Sequence, residues 1–157
     1  MKIMFVCHGN ICRSPMAEFI FMHMVYEKRM GCRFFVSSSA TSDEEISGGV
    51  GNPIYPPAKA ELKNHGIYCD GKYAVQLQKE DYANYDLFVG MDSENIRNMH
   101  RIFGGDPDSK IYKLLSFAGS DRDVSDPWYT GRFDVAYRDI YEGCKALFDS
   151  LATKAFC

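Results

Sequence analysis

No run of this 157-residue chain is apolar for long enough to cross a bilayer, a span that takes about 20 such residues. The apolar run near the amino terminus gives way to a polar loop within a few residues, which does not fit a secretion signal. Positive charge is not in excess. With a net charge of −3 the chain lacks the basic footprint of a nucleic-acid binder. No two cysteines form a CxxC pair and the four histidines are scattered, so no metal site is expected. Repeats, linkers and compositional breaks are also missing. A single domain over residues 1–157, with neither cofactor nor membrane insertion, is the expectation.

Cysteine itself is present at Cys7, Cys12, Cys32, Cys69, Cys144 and Cys157. A chain with 46% apolar residues can bury a substantial core without disulfide staples. Dispersed, reduced thiols and a cytoplasmic setting follow as expectations.

Hydrophobic patterning alternates between strand and helix. Ile3 to Val6 reads as a buried parallel strand. Pro15 to Arg29 carries Ala17, Phe19, Ile20, Met24 and Val25 on a helical stripe. Cys32 to Ser37 reads as a second strand, and Pro57 to His65 as a helix stopped by Gly66. Gln78 to Tyr82 suits a short helical turn, and Asp86 to Met91 a third strand. Asp92 or Ser93 then caps a helix to about Phe103. Lys110 to Phe117 reads as a fourth strand, and Asp134 to Ala152 as a long closing helix. These segments predict an α/β fold: three layers, with a four-stranded parallel sheet in the order 2-1-3-4 and helices on both faces. All loops leaving the carboxyl ends of such strands emerge on one edge. The segments at Cys7, Ser38 to Tyr55, Asp92 and Ala118 to Thr130 therefore meet there.

The chemistry concentrates in Cys7-His8-Gly9-Asn10-Ile11-Cys12-Arg13-Ser14, between the first strand and a proline-started helix. Gly9 supplies freedom for a tight loop whose N–H groups converge, and the helix N-terminus adds its dipole. Two anions profit: a phosphate and the thiolate of Cys7. Arg13 contributes the planar fork that grips two phosphate oxygens. Residues 8 to 14 thus form a phosphate cradle around a nucleophile. A cysteine six residues before an arginine is common by chance; the strand, glycine, hydroxyl and proline around it give the pattern its specificity.

The octet and its flanks, KIMFVCHGNICRSPMAE, resemble the low-molecular-weight protein tyrosine phosphatases. The resemblance continues in order through Ser38-Ser39-Ala40-Thr41-Ser42, Gly51-Asn52-Pro53, Asn64-His65-Gly66-Ile67 and Met91-Asp92-Ser93-Glu94-Asn95-Ile96 to Asp126-Pro127-Trp128-Tyr129. It implies phosphomonoester hydrolysis through a phosphocysteine on Cys7, with Asp126 as general acid and then base; alone, an Asp-Pro pair reads as a turn. Trp128 and Tyr129 match a wall along the substrate ring. Asn10, Ser14, Ser38 and His65 match a polar network supporting the loop, though Ser14 also suits a helix cap and His65 a helix terminus. Cys12 matches a thiol that pairs reversibly with the nucleophile, or is packing. The implied substrate is a phosphotyrosine protein or small aryl phosphate.

Three departures stand out. Position 8, usually apolar in the family, is His8, either a pocket group or a solvated side chain. The variable loop, where an aromatic residue often meets substrate, reads Asp43-Glu44-Glu45, which makes Glu44 the candidate substrate contact and should repel acidic peptides. Extra residues follow around Ser47 to Val50. Among alternatives, arsenate reductases need further closely spaced thiols, and the interval from Asp70 to Gly143 has no cysteine. Arginine phosphatases of the family commonly carry threonine where this chain has Ile11. A noncatalytic phosphate-binding module would not need Asp126.

Overall fold

The computed structural model describes residues 1–153, leaving Cys157 and its expected reduced state outside the described residues. Strand β1 (Lys2–Cys7) pairs in parallel with β2 (Phe35–Ala40) on one side and β5 (Leu87–Gly90) on the other, and β6 (Ile111–Lys113) completes the sheet. The order β2-β1-β5-β6 is the predicted 2-1-3-4 once a small hairpin, β3 (Ile46–Ser47) and β4 (Val50–Gly51), is counted. That hairpin spans the segment from Ser47 to Val50 that follows the variable loop.

Alternation along β1 builds both layers, because successive side chains leave opposite faces of a strand. Ile3, Phe5 and Cys7 join a core with α1 (Arg13–Glu27), α2 (Pro56–Asn64) and α6 (Phe133–Ala152). Met4 and Val6 join the opposite cluster with Phe88 of β5 and with Met99 and Phe103 of α4 (Ser93–Phe103). Short helices α3 (Asp81–Asn84) and α5 (Pro127–Thr130) occupy connections. No helix among the described residues is long and apolar enough to cross a membrane.

Four local expectations are corrected. Helix α1 starts at Arg13, with Cys12 as N-cap and no side-chain cap. Ser14 therefore lies inside the first turn, where its hydroxyl is free for other work. The second strand begins only at Phe35, after a 3-10 turn at Gly31–Arg33. The fourth strand ends at Lys113 and becomes a 3-10 helix over Leu114–Ala118. Leu114 and Leu115 are both fully buried in the α6 core, which a strand with alternating faces cannot arrange. Finally, the left-handed residue of the cysteine loop is Asn10, at φ 58°, rather than Gly9. Asparagine tolerates that region because its short amide bonds locally.

Candidate functional site

Strand β1 ends by placing Cys7 at the carboxyl edge of the sheet, and the loop from His8 to Cys12 folds back over it into α1. The sulfur receives the backbone N–H groups of Asn10 at 3.3 Å and Ser14 at 3.4 Å, and lies 3.0 Å from Ser14 Oγ. Two backbone donors thus converge on the sulfur where the loop enters α1. Behind the loop the Asn10 amide donates to Ser14 Oγ (2.8 Å) and Ser38 Oγ (2.9 Å), while its carbonyl accepts from the Val75 N–H (3.0 Å). Asn10, Ser14 and Ser38 are all buried. The bonds thus offset the cost of hiding these polar groups and of holding the turn left-handed.

Arg13 is the buried cation at the front of the site. Its Nη1 donates to Asp92 Oδ2 at 2.6 Å and to the Val124 carbonyl at 2.9 Å, and its Nη2 to Asp126 Oδ2 at 3.3 Å. Burial works against its charge, but Cys7, Asp126 and Asp92 outweigh burial and raise the guanidinium above its ordinary value. Asp92 in turn is fixed as the N-cap of α4, accepting from the Asn95 N–H in a capping box. Its tie to Arg13 goes beyond the capping role expected of it. Asp126 caps α5, with Oδ1 accepting from the Trp128 N–H at 3.0 Å, which leaves Oδ2 toward Arg13. Asp126 therefore stands across the loop from the sulfur although 119 residues separate it from Cys7 in sequence.

The pocket in front is lined by Cys7, His8, Gly9, Asn10, Ile11, Cys12 and Arg13, with Glu44 and Glu45 on one side and Asp126, Trp128 and Tyr129 on the other. Ser14, placed by the sequence in the cradle, instead sits behind it. Trp128 packs on Tyr55 at 4.9 Å between ring centroids, and Tyr55 packs on Phe133. Tyr129 is largely exposed. His8 Nε2 approaches Glu44 Oε2 at 2.9 Å, and Glu45 accepts from Asn52 Nδ2 at 2.7 Å. Burial, followed by the nearby Cys7 and Asp126, pushes the Cys12 thiol up against the pull of Arg13. Cys12 is thereby held neutral beside a sulfur that sits among donors.

The family pattern described as low molecular weight phosphotyrosine protein phosphatase matches residues 2–155. The chain belongs to that family. A low molecular weight protein-tyrosine-phosphatase of Bacillus subtilis, YfkJ, is 36% identical over 153 residues, covering 96% of each chain. The crystal structure of YfkJ superposes with a TM-score of 0.93 at 34% identity, over 99% of this chain and 97% of that one. The Streptococcus pyogenes low molecular weight protein tyrosine phosphatase gives 0.83 at 37% identity, over 96% and 92%. A Drosophila arginine phosphatase gives 0.85 at 28% identity, over 96% and 98%.

Within this low molecular weight phosphatase frame one expected support residue is misplaced. His65 does not enter the network behind the loop: its ring stacks on Tyr137 with centroids 3.7 Å apart and meets Glu61 Oε1 at 3.3 Å. As the C-cap residue of α2 it takes the helix-terminal role instead. The place beside Ser38 is filled by Glu18, which accepts from Ser38 Oγ. Lys72 joins it, with Nζ 3.4 Å from Glu18 Oε2 and donating to the Ser38 carbonyl at 2.9 Å. Glu18 was legible as a carboxylate one turn beyond Ser14 on α1, spaced to share its face. Lys72 left no comparable signal, since it lies in a loop.

Proposed function

We propose that this protein hydrolyses phosphotyrosine monoesters, in proteins or as small aryl phosphates. The observation that supports this best is the convergence of Cys7, Arg13 and Asp126 on one pocket with an aromatic wall. The amides of residues 8 to 13 and the Arg13 guanidinium bind the phosphate dianion, with Arg13 exchanging its Asp126 contact for phosphate oxygens. Cys7 Sγ attacks phosphorus as the P–O bond to the phenol breaks, and the Asp126 carboxyl gives its proton to the departing oxygen. Asp126, now ionised, takes a proton from the water that cleaves the phosphocysteine. Inorganic phosphate leaves and both side chains return to their starting state.

Ile11 supports tyrosine over arginine. It is buried in the loop and lines the pocket with hydrocarbon alone, offering no hydroxyl to a phosphoguanidinium, whereas Trp128 over Tyr55 presents an aromatic face. The likeness to an arginine phosphatase makes phosphoarginine the competing substrate. Turnover of matched phosphotyrosine and phosphoarginine peptides by the wild type, Cys7→Ser and Asp126→Ala tests the assignment. Phosphotyrosine cleavage that is lost in Cys7→Ser is expected; a preference for phosphoarginine, or full activity in Cys7→Ser, refutes it. We also place the enzyme in the cytoplasm, where the free thiols of Cys7, Cys12, Cys32, Cys69 and Cys144 stay reduced. The negative net charge favours protein over nucleic-acid partners.

A further inference from the structure

The segment that carries Asp126 leaves the 3-10 helix at Gly119 and runs across the surface to Val124, which is fully buried and bonded to both the Met91 carbonyl and Arg13. Between those points residues 121 to 123 are exposed; Arg122 is tied to the buried Asp139 of α6 by two N–H bonds of 2.9 Å, while Asp121 and Asp123 on either side of it face the end of the sheet. Lys113, the last residue of β6, reaches beneath them. Its half-buried ammonium donates to the Asp121 carbonyl at 2.7 Å and to Ser93 Oγ at 2.9 Å, and pairs with Asp123 Oδ1 at 2.9 Å. All three N–H bonds are therefore in use. Asp123 Oδ1 also accepts from the Ser93 N–H at 3.1 Å and from its hydroxyl at 3.2 Å.

The knot joins the two carboxylates that flank Arg13. Ser93 adjoins Asp92, which holds one guanidinium nitrogen, and Asp123 precedes by three residues Asp126, which meets the other. We propose that Lys113, through Asp123 and Ser93, is a positioning residue that sets the acid Asp126 against the leaving-group oxygen. The inference rests on the reading of Asp126 as the general acid. A point charge with three directed donors, withdrawn from most of the solvent, suits this role because it fixes two chain segments at once at the carboxyl edge of the sheet. A loss of alignment of about 1 Å at the reacting centre can cost up to roughly 100-fold in rate.

A misplaced acid harms only reactions that need its proton. The test is kcat/KM, which reports phosphocysteine formation, for phenyl phosphate and p-nitrophenyl phosphate with Lys113→Met, Asp123→Asn and Lys113→Arg. We expect Lys113→Met to lose roughly tenfold on phenyl phosphate and under about threefold on the nitrophenyl ester, whose phenolate departs without help. Asp123→Asn should show the same skew to a smaller degree, and it serves alone if Lys113→Met does not fold. Lys113→Arg should restore most of the phenyl phosphate rate. Equal losses on both substrates, or none, overturn the proposal. Asp126→Asn measured alongside separates the two readings. If it shows the skew and the Lys113 and Asp123 variants do not, the positioning role alone is wrong. If Asp126→Asn lacks the skew, the general-acid assignment falls and the positioning role falls with it.

Discussion

Replacing Asn10 with alanine removes three buried or partly buried hydrogen bonds, to Ser14, Ser38 and the Val75 N–H. Each such bond contributes about 0.5 to 1.5 kcal/mol net, because folding exchanges it for bonds to water. Asn10 is 1% exposed, so water cannot re-enter to replace the lost partners without opening the loop. Its φ of 58° adds a second cost, since alanine in the left-handed region is disfavoured by about 1 to 2 kcal/mol. The Asn10→Ala protein should therefore lose about 3 to 5 kcal/mol, a large part of the roughly 5 to 15 kcal/mol that holds a domain together. Asn10→Gly separates the two costs, for it loses the same bonds but accepts the backbone; it should be about 1 kcal/mol more stable than the alanine variant. Urea unfolding with kcat/KM measured in parallel is the assay. Activity should fall in both variants because the Asn10 N–H no longer has a fixed approach to Cys7 Sγ. An alanine variant within about 1 kcal/mol of the wild type, or a glycine variant less stable than the alanine one, would mean that Asn10 does not hold the loop in this way.

Lys72→Met should destabilise by about 3 kcal/mol, because it leaves the Glu18 carboxylate buried without its cation; adding Glu18→Gln should recover part of that loss in a denaturant midpoint. Burial raises the Cys12 thiol, so at neutral pH it stays protonated. Iodoacetamide should then inactivate through Cys7 with Cys12 unlabelled in the native protein, and peptide mapping that finds Cys12 modified first contradicts this. Glu44 and Glu45 on the pocket rim should favour phosphotyrosine peptides with basic over acidic flanks by several-fold at low salt. Screening shrinks such a preference, so a kcat/KM ratio independent of both charge and salt rules it out.

Elements with strong periodicity or caps were the legible ones. Asp92, one of the two expected caps, starts α4, which ends at Phe103 as its pattern indicates, and the unbroken apolar run of β1, buried from Ile3 to Cys7, marks the centre of the sheet. The fourth strand was overdrawn because Leu114 and Leu115 are apolar in either conformation, and only the packing of α6 against both selects the 3-10 turn. Within the site, Cys7 and Arg13 are legible from the octet itself, whereas Asp126 and Trp128 are reached only through the family resemblance; all four line the pocket. The site was illegible where a role depends on distance across the chain. His65 and Lys72 are only seven residues apart, and nothing local shows that the helix end keeps the first against Tyr137 while the loop turns the second inward to Glu18. Asp92 shows a related limit, its capping geometry being local and its grip on Arg13 tertiary.

In the proposed cycle Cys7 carries the phosphoryl group while Asp126 manages the protons on either side of it. Asp126→Ala should slow hydrolysis of the intermediate and let it accumulate, so the decisive measurement is an acid quench during turnover of p-nitrophenyl phosphate, followed by peptide mapping. Phosphate on the peptide containing Cys7, absent in the Cys7→Ser, Asp126→Ala double variant, is the predicted result. Release of nitrophenol without a phosphorylated Cys7 peptide, or phosphate found on another residue, contradicts it.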